Sequence, residues 1–123
     1  MRNKYFNKRT EVDGIMFDSK KEAKYYLFLK QQESDGKVRD IQLQVSYELV
    51  PAVYRTEIKH LKTKDKEVQK KIQRAVNYVA DFVYTDCSTG NTCVIDTKGF
   101  RTKEYKLKKK MMLAFLGVEI IEV

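Results

Sequence analysis

Proline, histidine and cysteine are scarce. Pro51 is the one proline, His60 the one histidine, and Cys87 and Cys93 the only thiols in 123 residues. Two cysteines without accompanying histidines cannot complete a four-ligand zinc site. They flank the turn sequence Ser88-Thr89-Gly90-Asn91, so reduced structural thiols are expected, with a cross-strand disulfide as the alternative. A lone histidine with no evident orienting neighbour is a poor general base. Apolar runs are short as well, and none reaches transmembrane length. Met1 to Thr10 is polar and cationic, without the apolar core of a signal peptide, so a soluble, cytoplasmic chain with no membrane partner is expected.

Negative charge is the minority sign. Lys plus Arg number 25 against 17 Asp plus Glu, a formal charge of +8, which favours a polyanionic partner, nucleic acid first. Hydrophobic residues at 42%, charged residues at 34% and a single proline describe a globular chain rather than a disordered one. Residues 1–123 are expected to form one domain.

Along the chain, Asp13-Gly14 lies between Thr10-Glu11-Val12 and Ile15-Met16-Phe17 and predicts a small N-terminal hairpin. Helical spacing of Ala23, Tyr26, Leu27 and Leu29 predicts a helix over 19–34, closed near Gly36. Ile41, Leu43, Val45, Tyr47 and Leu49 alternate as a first core strand until Pro51, leaving Gln42, Gln44, Ser46 and Glu48 on the other face. Residues 52–74 read as a basic insertion between strands, although Val68, Ile72 and, just beyond it, Val76 line up as for a short helix. Strands over 77–84 and 92–98 form a central hairpin around Gly90; the first carries β-formers on both sides, which implies burial of both faces. A helix over 102–116 is capped by Thr102 and closed by Gly117, with Leu107, Met111, Ala114 and Phe115 on its core side, and a last strand covers 118–123.

Four residues in this order carry chemistry: Glu22 on the first helix, Asp81 in a strand, then Asp96 and Lys98. Strand alternation sends Val94, Asp96 and Lys98 to one face, so an acid and an ammonium point the same way. A carboxylate holds a hard divalent cation, and a neighbouring lysine orients water or offsets charge on a phosphate. Each also has a plainer reading. Ser19-Lys20-Lys21-Glu22 is a capping box, and Asp96 with Lys98 makes an ordinary strand salt bridge. Yet Glu22 shares its helix face with Tyr26 and Leu29, and a carboxylate between Val79 and Val83 is costly to bury alone. Three clustered acids repel one another unless a cation neutralises them.

The order of elements, with Glu22, Asp81, Asp96 and Lys98 in it, resembles the PD-(D/E)XK nuclease superfamily. More narrowly, the segments Gly14-Ile15-Met16-Phe17-Asp18-Ser19-Lys20-Lys21-Glu22-Ala23, Tyr78 to Tyr84, Asp96-Thr97-Lys98-Gly99-Phe100 and Tyr105-Lys106-Leu107-Lys108-Lys109-Lys110 resemble a phage-borne family of small proteins of unknown function placed near its Holliday-junction resolvases. The resemblance spans nearly the whole chain. It implies an α/β, restriction-endonuclease-like core in which a helix, three strands, a helix and a strand build a central mixed sheet flanked by helices. It also implies that Glu22 is the helix acid, Asp81 and Asp96 the acids of the signature, and Lys98 its lysine. Asp81 departs from the pattern in that no proline follows it.

The expectation is therefore a Mg²⁺-dependent endodeoxyribonuclease, with Mn²⁺ able to substitute and no organic cofactor. Glu22, Asp81, Asp96 and the Thr97 carbonyl would be its metal ligands and Lys98 would act on the water and the phosphate. DNA, at a branched junction, a nicked site or a specific sequence, would meet Lys103, Lys106, Lys109 and Lys110, the N-terminus of their helix at Thr102, and Gln44. Cutting two strands favours a homodimer. The alternative is a non-catalytic nucleic-acid-binding protein on the same fold.

Overall fold

The computed structural model describes residues 8–97 and 101–123. Lys98, the expected signature lysine, lies outside the described residues, as do Gly99, Phe100 and residues 1–7. The chain opens with an antiparallel hairpin of β1 (Thr10–Val12) and β2 (Ile15–Phe17). Asp13 at φ 53° and Gly14 at φ 76° supply the paired positive angles of its turn. Helix α1 (Lys20–Ser34) follows, with the Ser19 hydroxyl accepting the Glu22 N–H at 3.1 Å as its N-cap.

Next come β3 (Val38–Val50), β4 (Val53–His60), β5 (Asp65–Gln73), β6 (Val76–Asp86) and β7 (Thr92–Asp96). Helix α2 (Lys103–Leu116) and β8 (Ile120–Glu122) complete the chain. Thr102 accepts the Tyr105 N–H at 3.0 Å, and Gly117 closes α2 in the left-handed conformation at φ 68°. The result is mixed α/β. A four-stranded sheet runs in the order β3-β6-β7-β8, antiparallel except for the β7–β8 pair. That parallel pair requires a crossover, and α2 supplies it.

The two helices cover opposite faces. Phe17, Ala23, Tyr26 and Leu29 form one core with Phe82 and Ile95, whereas Tyr105 and Met112 form another with Tyr78, Ala80 and Val94. Val94 and Ile95, consecutive in β7, divide between the two cores as strand alternation requires. Midway along β3 and β6 that alternation is interrupted. Val45 and Ala80 belong to the α2 core, yet Leu43 and Phe82, each two residues away, belong to the α1 core. Gln44 stands between them on β3 at φ 52°, and Asp81 stands between them on β6. The left-handed backbone at Gln44 thus coincides with the point where both strands exchange faces, beside Asp81.

Residues 52–74, read as an insertion between strands, form a separate two-stranded sheet, the β4–β5 ribbon, in which Val68 pairs with Glu57, so the helical spacing noted there builds no helix. Two expectations need correction. Val79 is 46% exposed, so β6 is not buried on both faces throughout. On α2, Tyr105 and Met112 turn inward and Met111, as expected, packs partly buried against the same core, while Leu107 is 53% and Phe115 60% exposed and Ala114 is exposed too. The Tyr105 hydroxyl donates to Glu122 at 2.9 Å and Lys109 donates to the same carboxylate at 3.1 Å, which ties the helix to β8 on the side where Tyr105 and Met112 are buried.

Candidate functional site

Glu22 lies in the first turn of α1 on its buried face and is 7% exposed. Its carboxylate does not close a capping box; Oε1 instead accepts a hydrogen bond from Gln44 Nε2 at 3.1 Å, across a separation of 22 residues. Burial first, and then the negative charges of Asp81, Asp18 and Asp96, push its pKa up to about 7, while the Gln44 bond works the other way. Burial is the larger cause, and the neighbouring acids add to it. Glu22, Asp81 and Asp96, separated by 59 and 15 positions in sequence, thus share one electrostatic environment.

Asp96 ends β7 with no exposed surface. Its Oδ2 accepts a 2.6 Å bond from the Tyr78 hydroxyl on β6. Burial, this bond and the charges of Asp96 and Asp81 hold the Tyr78 hydroxyl far above its ordinary pKa, so it remains a donor at every physiological pH. Asp81, half-buried, accepts two 2.8 Å bonds at Oδ2, from the Thr97 backbone N–H and the Thr97 hydroxyl. The residue after Asp96 therefore clamps the acid on the neighbouring strand. Charge-assisted bonds of this kind are short and orient a carboxylate firmly.

The donor set is all oxygen and strongly anionic, which suits a hard divalent cation. The acid crowding at Glu22 is the observation that such a cation would relieve. Among the described residues, however, no three His, Cys, Asp or Glu side chains are gathered closely enough to ligate one ion as they stand. Each acid has one oxygen engaged by a protein donor, Gln44, Thr97 or Tyr78.

The remaining residues divide. Gln44, expected on the nucleic-acid side, belongs to the acid cluster through Glu22. Lys109 is not available to a phosphate on its own, because it pairs with Glu122, which also meets Arg101 at 2.9 Å. Lys103, Lys106 and Lys110 are exposed on α2, and Thr102 is spent on capping it. His60 does have an orienting carboxylate, Asp65 at 2.8 Å, but it sits at the tip of the separate ribbon and is 79% exposed there. Cys87 and Cys93 are free thiols.

Sequence reading missed Tyr78, Asp18 and Glu122. Tyr78 was discoverable in principle, since its parity in β6 places it on the α2 side with Val94 and Asp96 on the next strand. Glu122 was not, because its partners are defined only once β8 lies beside α2. Among the described residues no helix is long and apolar enough to cross a membrane.

A model of one protein family, described as a protein of unknown function (DUF1064), matches residues 2–119. No curated protein matches. No solved structure matches either.

Proposed function

The chain belongs to the DUF1064 family of proteins of unknown function, and from that premise we propose that its acid cluster is the centre of a metal-dependent endonuclease acting on DNA, of PD-(D/E)XK type. The observation that carries the reading is the convergence of Glu22, Asp81 and Asp96 from a helix and two adjacent strands, where burial first and the charges of the neighbouring acids second push Glu22 up to about 7. The order of helix, three sheet strands, helix and parallel strand supports it, with the β4–β5 ribbon as an insertion.

Mg²⁺, or Mn²⁺ in its place, held by Glu22, Asp81, Asp96 and the Thr97 carbonyl, would supply Lewis acidity at the phosphodiester. The chain's own groups prepare the rest. Tyr78 and Thr97 aim the two aspartates, Gln44 keeps Glu22 turned towards them, and burial excludes competing water from Asp96. Lys98, next after Thr97, would orient the attacking water and offset the charge that builds on phosphorus before the leaving oxygen takes a proton. Lys103, Lys106 and Lys110 would hold the DNA backbone. A second copy would bring the second site needed to cut both strands, and the exposed Leu107 and Phe115 offer it an apolar face.

Cleavage of junction, flap, duplex and single-stranded DNA, with and without Mg²⁺, tests the proposal. Lys98→Ala should keep fold and DNA affinity yet lose cleavage by ~10²-fold or more, the scale of one electrostatic transition-state interaction. Normal cleavage by that variant would remove this chemistry from the chain. The absence of a ready ligating triad among the described residues favours a second reading, a nucleic-acid-binding protein on this fold that does not cut. Cation-independent binding with no cleavage of any substrate would select it.

A further inference from the structure

The β4–β5 ribbon packs within itself and makes no broad contact with either helix or with the main sheet, among the described residues. Its strands leave and rejoin the fold where Val50 and Val76 are direct partners, so β3 and β6 would meet without it. An extra hairpin of this length contributes little to a core it does not touch, and an isolated two-stranded ribbon is marginal in water. Its charge is also one-sided. Between Val53 and Gln73 there are seven Lys or Arg residues and three Asp or Glu.

Register sorts these charges onto faces. Residues directly opposite in an antiparallel pair share a face, so Arg55 with Lys70, Glu57 with Val68, and Lys59 with Lys66 occupy the same one. Two of these three pairs place like charges directly across from each other, an arrangement that costs stability. Glu57 answers only one of them, at 3.3 Å from Arg55 and 3.9 Å from Lys70. Lys59 and Lys66, nearer the tip, are exposed. An external polyanion resolves that repulsion. The shape fits one in particular: a two-stranded ribbon enters the major groove of B-form DNA, about 12 Å wide, whereas the deep, narrow major groove of duplex RNA excludes it. The eight residues of β4 extend for roughly 27 Å at about 3.4 Å per residue, most of one helical turn.

From this geometry we infer that the β4–β5 ribbon is a DNA-binding arm that lays its Arg55, Lys59, Lys66 and Lys70 face into the major groove of a duplex next to the acid cluster. The inference rests on the nuclease reading only in taking DNA as the substrate. It makes the substrate double-stranded on at least one side of the cleavage point.

The test is equilibrium binding, without divalent cation, to a DNA duplex of two helical turns, the same sequence as duplex RNA, and each single strand. Lys59→Gln/Lys66→Gln should weaken duplex DNA binding ~10-fold or more near physiological salt and flatten the salt slope by about 0.9 for each phosphate no longer neutralised. Binding to the RNA duplex and to single strands should change far less. Methylation of guanine N7, which projects into the major groove, should interfere with binding of the wild-type protein. Unchanged duplex affinity and slope, equal weakening on all three nucleic acids, or no interference at N7 would each overturn the inference. Replacing 53–73 with a short glycine-containing turn should reproduce the weakening, and the double variant carries the test if that deletion fails to fold. The two proposals fail separately. Duplex binding through the ribbon without cleavage removes the nuclease reading alone, and cleavage with duplex affinity unmoved by Lys59→Gln/Lys66→Gln removes the ribbon alone.

Discussion

Gln44 donates its side-chain amide to Glu22 Oε1 at 3.1 Å from a backbone held at φ 52°. A non-glycine residue in the left-handed region costs about 1–2 kcal/mol, and such strain persists where the surrounding structure over-determines it, commonly at functional sites. Here it sits where the sheet exchanges faces and where the helix acid meets the strand acids. Gln44→Ala should remove the bond that lowers the Glu22 pKa and so drive that pKa above about 7. Carboxyl-carbon NMR titration of Glu22 measures it directly; a value unmoved or lowered would mean that the amide does not support the carboxylate.

The same titration ranks the neighbours. Asp81 raises the Glu22 pKa more than Asp18, and Asp18 more than Asp96. Asp81→Asn should therefore bring it down further towards 4.5 than Asp96→Asn does. The reverse order would place Asp81 outside the cluster.

Stability should carry the signature of this buried acid. Between its ordinary value of 4.5 and its folded value of about 7, Glu22 keeps a proton in the folded chain that the unfolded chain has released. Stability from this group is therefore full below the lower value and falls as pH rises through the window. Glu22→Gln should abolish that fall, giving a higher Tm than wild type at about pH 8 and little gain at about pH 5. Equal shifts at both would show that the proton is not the cause. A divalent cation bound at the cluster should raise the wild-type Tm more at the higher pH, because the ligand is the carboxylate, and should do so less in Glu22→Gln.

Tyr78→Phe tests the buried bond to Asp96. Removing the hydroxyl withdraws one donor from a fully buried carboxylate, which should cost about 1–3 kcal/mol in denaturant unfolding with the m-value unchanged. A change within experimental error would mean that the bond contributes nothing net.

The exposed lysines of α2 make a separate prediction. Lys103→Ala/Lys106→Ala/Lys110→Ala should weaken DNA binding across sequences and reduce the salt slope by up to about 0.9 per phosphate released, with folding intact. Lys109→Ala should instead loosen the packing of α2 on β8 at Glu122 and lower Tm. If Lys109→Ala behaves like the triple variant and spares stability, the pairing with Glu122 is not its role.

Local chemistry explains why much of the fold was legible from sequence. Asp13-Gly14, the Ser19 and Thr102 caps and the Gly117 stop act through backbone angles and bonds only a few residues away, so α1 and α2 fall within a residue of their expected limits. Alternation at Val94 and Asp96 likewise carried their shared face into the structure. The ribbon did not follow from the same rules. Val68, Ile72 and Val76 satisfy helical spacing, yet pairing of β5 with β4 outweighs a weak local preference in a stretch that has no core to turn towards. The face that α2 turns inward depends on contacts of Tyr105 and Met112 with distant strands, and the exchange of sheet faces beside Gln44 and Asp81 has no counterpart in sequence alternation. Residue types and their order thus determined that acids, a cap and alternating strands exist in this chain. Only tertiary structure decided that Glu22, Asp81 and Asp96 share one field, because charges repel and bonds form through space, and 59 and 15 residues of chain had first to be folded back.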